Sequence, residues 1–178
     1  MACTATISGR ALPCKDALGG IKKVWIGDWT DGIWGAVGAT TAGEIDDSTA
    51  ALVLKDFDMM KNTGSFTQTV NASIENGTIF YTQVVSCVFS KNVSSDIAGF
   101  GDMIKARLVI VVQDVNDNYF VMGHLRGCEV SGGSVETGTA LGDMNGLKYE
   151  FTAEETIAAP FLDIVTAVAG DVTFTVTA

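Results

Sequence analysis

The sequence holds one histidine, two prolines and four cysteines among 178 residues. A single histidine removes most of the metal and general-base chemistry open to a short enzyme. Cys3, Cys14, Cys87 and Cys128 lack CxxC spacing and are too sparse for a disulfide framework, so they read as reduced thiols, mostly buried. No apolar run approaches the ~18 residues of a membrane span; Leu108–Val112, among the longest, suits a buried strand. Met1-Ala2-Cys3-Thr4 has neither the charged start nor the apolar stretch of a targeting signal. Positive charge is also scarce. Eleven Lys and Arg face 21 Asp and Glu, a net charge of −10, which excludes a protein that grips phosphate backbones.

What is present is apolar and β-forming. The hydrophobic fraction is 47%, enough for a sizeable core and too much for a disordered chain. The acid is uneven: residues 1–89 sum to −3, residues 90–178 to −7, and residues 129–178 hold eight acids against Lys148. Such a surface keeps a protein soluble and off nucleic acid.

The strongest local signal is a long hairpin over residues 66–90. Phe66, Val70, Ala72 and Ile74 alternate with Thr67, Thr69, Asn71 and Ser73, with Gln68 the polar exception in the apolar row. Asn76-Gly77 predicts a two-residue turn. That places Glu75 opposite Thr78 and pairs Ile74 with Ile79, Ala72 with Tyr81, and Asn71 with Thr82. A short helix is expected at about 95–104, capped by Ser94 or Ser95, with Ile97, Phe100 and Ile104 on one face. Lys105–Gln113 reads as a central strand, apolar on both faces, joined by the turn Asp114–Asn118 to Tyr119–Leu125. Further strands are expected at Ile21–Trp29, Leu52–Met60, Lys148–Ala153 and Asp171–Thr177. Together they predict one mostly-β domain over residues 1–178, a sandwich or barrel of about seven or eight strands with one flanking helix. Residues 30–50, rich in Gly, Ala and Thr, read as a long loop.

Candidate chemistry is thin. Asp114-x-Asn116-x-Asn118 starts like an EF-hand loop, but Tyr119 stands where Gly is required and Leu125 where Glu is required. His124 and Cys128 lack an orienting third residue. Glu154-Glu155 and Asp46-Asp47 point to opposite strand faces and make poor acid–base pairs. No catalytic residue, metal ligand or cofactor site emerges, and the chain reads as a non-enzyme.

Several segments together resemble the tail-tube-like virion structural proteins of tailed bacteriophages. They are Lys61–Asn71 with Glu75–Tyr81, Lys105–Asp114 with Asn118–Gly123, Thr137–Gly146, and Phe151–Glu155 with Ala159-Pro160. Ser8-Gly9-Arg10 and Gly19-Gly20-Ile21 add to the likeness, which covers residues 8–22 and 55–162. Arg126-Gly127-Cys128 departs from the family pattern, in which a small polar residue and Gly precede a Leu. The resemblance implies a β-sandwich that forms hexameric rings, stacked into a tube that carries the genome during ejection. It places the long hairpin on the inner wall, with Thr67, Thr69, Asn71 and Ser73 facing the lumen and the apolar row packed inward on the sandwich. It makes residues 1–20 and 30–50 bridges between subunits, with Trp29, Trp34, Ile45 and Leu52 as contact residues. The implied partners are further copies of the chain, other tail proteins and double-stranded DNA that passes without specific binding. The implied location is the virion, after assembly in the bacterial cytoplasm, with no membrane insertion by this chain. The alternative is a carbohydrate- or protein-binding adhesin that stacks ligands on Trp25, Trp29 or Trp34.

Overall fold

The computed structural model describes residues 9–12, 14–38, 41–45, 52–163 and 172–175. The strands are β1 (Ile21–Asp28), β2 (Glu44–Ile45), β3 (Leu52–Asp58), β4 (Ser65–Ser73), β5 (Thr78–Ser90), β6 (Leu108–Asp114), β7 (Tyr119–Met122), β8 (Glu129–Glu136), β9 (Gly146–Glu155), β10 (Phe161–Leu162) and β11 (Val172–Thr175). One helix, α1 (Ser94–Met103), lies between β5 and β6. A seven-stranded sheet runs β11-β3-β1-β6-β7-β10-β2, and a four-stranded sheet runs β4-β5-β9-β8. The chain is thus mostly β, with two sandwiched sheets and one helix among the described residues.

Why the sheets stack follows from alternation. In β5, Val85 and Cys87 are fully buried, and in β9 Leu147, Phe151 and Ala153 are buried on the same face. They meet Val24 and Ile26 of β1 and Ile110 and Val112 of β6 in one cluster between the sheets. Each such aliphatic side chain contributes about 1.5–3 kcal/mol when fully removed from water. β6 is buried from Leu108 to Gln113 because its odd residues face elsewhere. Val109 and Val111 join Trp25, Ile33, Trp34, Ile45 and Leu54 in a second cluster on the opposite face of the seven-stranded sheet. A strand covered on both sides reads as one continuous apolar run.

That second cluster includes part of the expected loop. Among described residues 30–38 and 41–45, Ile33, Trp34 and Ile45 are buried and most of the others are exposed. Ile33 and Trp34, 5% and 6% exposed, fold back as a lid on the chain's own sheet. Glu44 and Ile45 form a short parallel pairing with Phe161 and Leu162. Residues 39–40 and 46–50 of the expected loop lie outside the described residues, as do residues 1–8 and 13 of the expected N-terminal arm.

The hairpin forms, with a corrected register. Ser73 pairs with Thr78, Ala72 with Ile79, Asn71 with Phe80 and Val70 with Tyr81, a shift of two residues from expectation. A two-residue type I′ turn needs positive φ at both central positions. Only Gly77 supplies it, at 62°, and the Ser73 hydroxyl accepts a hydrogen bond from the Asn76 amide at 3.3 Å. The loop is therefore the four residues Ile74–Gly77. A shift of two preserves facing, so the alternating rows stay as read.

Helix α1 appears where expected, but Val93 occupies its N-cap with no side-chain hydrogen bond, since Ser95 Oγ donates to Asp96 Oδ1 instead. Of the expected apolar face, only Phe100 is buried. Its ring lies 4.1 Å from that of Tyr149 at 15°, a stacked pair. Ile97 and Ile104 stay 45% and 57% exposed.

Candidate assembly surface

The four-stranded sheet has one face in the core and one open. On β4, Thr67, Thr69, Asn71 and Ser73 pair with Val84, Thr82, Phe80 and Thr78, on the face opposite buried Val85 and Cys87. Thr67 and Thr69 are exposed, Asn71 and Ser73 half-buried. Asn71 Nδ2 donates to Thr82 Oγ1 at 2.8 Å, so the row is knit to its neighbour without charge. Residues 62–90 carry a single charge, Glu75 in the turn.

The other half of the same face is acidic. Lys148, Glu150, Thr152 and Glu154 alternate outward from β9 between buried Leu147, Tyr149, Phe151 and Ala153. β8 adds Glu129 opposite Thr152 and Glu136 at the level of Gly146. Lys148 Nζ contacts both carboxylate oxygens of Glu136 at 2.9 Å. That hydrogen bond is the main reason the Glu136 carboxyl sits below its ordinary pKa. Ser131 and Thr152 join by a 2.9 Å hydroxyl pair. The open face thus runs from uncharged hydroxyls and amides to a band with four carboxylates and one ammonium. Anionic chains would slide past such a face without lodging.

Two polar residues of the hairpin's inner row have a structural purpose the sequence did not disclose. Gln68 and Gln83 stand opposite one another where residues 156–160 cross beneath the hairpin. Gln68 Oε1 accepts from the Ala159 amide at 2.6 Å. Gln83, wholly buried, accepts from the Gly123 amide at 3.3 Å and points its amide at the Ile157 carbonyl at 3.5 Å. Below this row Phe66 stacks on Phe120, centroids 5.6 Å apart. Above it, the expected inward packing of the apolar row does not occur. Val70, Ile79 and Ile74 are 57%, 63% and 99% exposed, so the hairpin overhangs the sandwich.

The expected contact residues separate. Trp34, Ile45 and Leu52 are buried in the chain's own second cluster, leaving little side chain for a neighbour. Trp29 is half-buried, with the Arg107 guanidinium 5.0 Å above its ring. Trp25 is 7% exposed. Trp25 and Trp34 therefore offer no open stacking face.

Near the Gly123–Cys128 turn, Glu155 is 1% exposed. Its Oε1 accepts from the amides of Leu125 at 3.0 Å and Arg126 at 2.8 Å, while Oε2 lies buried without a partner. Burial raises its pKa, opposed by those two amides. Burial lowers the pKa of neighbouring His124; the Gly35 backbone pulls the other way but forms no well-aligned hydrogen bond, and neither ring nitrogen has one. Cys128 Sγ donates to the Leu108 carbonyl at 3.2 Å, and burial pushes its thiol far up; Cys87 is pushed up to about 12 for the same reason. A protonated buried thiol is a poor nucleophile.

Asp114, the first residue of the EF-hand-like run, spends both oxygens on the turn. Its Oδ1 accepts from the amides of Asn116 and Asn118 at 2.8 Å each, and its Oδ2 from Asn118 Nδ2 at 2.8 Å. Among the described residues no group of three His, Cys, Asp or Glu is placed to hold a metal ion, and no helix is long and apolar enough to cross a membrane. No family model matches the chain, and neither a curated protein nor a solved structure does.

Proposed function

We propose that this chain is a virion structural protein of the tail-tube type, which assembles into stacked hexameric rings around a channel for DNA. The observation that carries the reading is the open face of the four-stranded sheet, an uncharged polar row beside an acidic band. Both long edges of that sheet, β4 and β8, are without a strand neighbour among the described residues. Free edges pair readily with further strands, and edge-to-edge pairing of copies gives a closed inner wall with no exposed edge. The luminal residues are Thr67, Thr69, Asn71 and Ser73. DNA passes such a wall because its one cation, Lys148, is held by Glu136 and the other charges of the face repel phosphate. Other tail proteins meet the ends of the tube, and the location is the virion. The function is structural, without catalysis or cofactor.

The test is electron microscopy of the purified protein at rising concentration and after seeding with preformed assemblies. Rings or tubes are expected. The double variant Thr67→Lys/Thr69→Lys is expected to assemble equally well yet retain double-stranded DNA at low salt, because a cationic lining traps phosphate. Seeded and unseeded protein that stays monomeric throughout would sink the reading.

A further inference from the structure

Two unfilled features stand at opposite edges of the four-stranded sheet. The first is the overhanging hairpin. Beyond the Gln68–Gln83 row its core-side face presents Val70 and Ile79, 57% and 63% exposed, below the turn residue Ile74 at 99%.

The second is a groove of about 700 Å³ at the other edge. It exists because β8 stops early. Glu129 opposite Thr152 is the last β8–β9 pair, so Ala153–Glu155 continue upward with no strand beside them on that side among the described residues. Trp29 and Leu125 give the groove apolar surface, and Arg107, Arg126, Asp31, Glu129 and Glu154 also line it.

Register places the two at one height. Thr67, Val84, Thr152 and Glu129 form one row across the sheet, and Val70, Tyr81 and Glu155 form another. β8 ends at the lower of these rows, and the overhang lies at the upper one. Copies set side by side bring the overhang of one to the groove of the next. Charge agrees. Glu75 is the hairpin's one charge. Arg107 and Arg126, like several other cations of the chain, form no salt bridge among the described residues, and these two line the groove. These two guanidiniums, in a lining that also holds Asp31, Glu129 and Glu154, are the groups an incoming carboxylate would meet favourably.

We propose that the groove beside Trp29 and Leu125 receives the hairpin tip of a second copy of this chain, with Val70 and Ile79 against its apolar wall and Glu75 toward Arg107 and Arg126. The contact is head-to-tail, since knob and groove are different surfaces, and a repeated head-to-tail contact closes a ring or runs on as a filament. It rests on the assembly reading and specifies which side chains carry it. It also assigns the overhang a use: an apolar patch with water on it is a common mark of a partner surface.

A complementation experiment tests it. One variant carries Val70→Lys/Glu75→Lys, spoiling the hairpin and leaving the groove. The other carries Arg107→Glu/Leu125→Glu, spoiling the groove and leaving the hairpin. Circular dichroism and thermal melts show that each is folded; Val70→Ser and Leu125→Ser replace any member that is not. By light scattering after size exclusion, each variant alone is expected to be monomeric where the wild type assembles, with association weakened at least about tenfold. Mixed one to one, they are expected to form a dimer and stop, because only one productive contact remains. Variants that assemble as the wild type does, or a mixture that stays monomeric, overturn this contact while leaving the assembly reading standing. Wild-type protein that never assembles overturns both.

Discussion

Glu155 shows how much one side chain can hold. Its Oε1 is the acceptor for two consecutive amides of the turn that carries the chain from one sheet to the other. Glu155→Ala orphans both donors, and each buried amide left unpaired costs about 1–3 kcal/mol. We expect chemical unfolding to show a loss of about 2–4 kcal/mol with an unchanged denaturant slope. The pH dependence has an unusual sign for a carboxylate. Because the folded pKa lies above 4.5, the folded state holds a proton that the unfolded state has released. The stability contribution is greatest at and below pH 4.5 and falls as pH rises through the folded value. Relative to Glu155→Gln, which does not titrate, the wild type should therefore lose stability as pH is raised above 4.5; a parallel pair of curves would refute this. Neither amide contact was legible in the sequence, where Glu155 read as the partner of Glu154 on an alternating strand. Alternation did predict that the two point apart, and Glu154 is indeed exposed. What lay across from Glu155 depended on a turn 30 residues away.

Elements with a strong local period were readable. The hairpin strands, the doubly buried β6 and helix α1 stand within a few residues of expectation. The elements missed were those whose sequence argues against them. β8 contains Gly132-Gly133, a pair that favours loops, yet a Cβ on Gly133 would meet the Tyr149 ring at 2.7 Å. The strand tolerates glycine because Tyr149, stacked under Phe100, occupies that space. β2 and β10 have two residues each and exist only through pairing. The helix carries a sharp prediction. Phe100→Ala removes a ring that is 3% exposed and should cost about 3–5 kcal/mol in urea unfolding. Ile97→Ala, on the exposed side, should stay below about 1 kcal/mol. Similar losses for the two would mean that the helix packs through a different face. At the far end of β9, a methyl on Gly146 would run into the Phe89 carbonyl. Gly146→Ala should therefore separate the β5–β9 ladder there, lowering stability by about 1–3 kcal/mol and raising amide exchange at Ser90.

For the whole molecule, the acid excess gains a location. Of the eight acids in residues 129–178, Glu129, Glu136, Glu150 and Glu154 lie on the open face of one sheet, beside an uncharged row. The sequence could give the charge and the alternation of each strand, but not that β8 and β9 would sit next to the hairpin. That neighbourhood is tertiary. The bridging role that the resemblance implied for residues 30–50 meets the same limit: Ile33 and Trp34 are buried against apolar surface of the chain's own sheet. In the proposed assembly the contacts shift accordingly, from Trp34, Ile45 and Leu52 to the sheet edges, the overhanging hairpin and Trp29. The central claim is that the open face of the four-stranded sheet lines a channel. A high-resolution electron-microscopy map of the assembled protein tests it most directly. The account predicts Thr67, Thr69, Asn71 and Ser73 on the inner wall, with Glu150 and Glu154 beside them. A map with that row on the outer surface, or buried between rings, would contradict it.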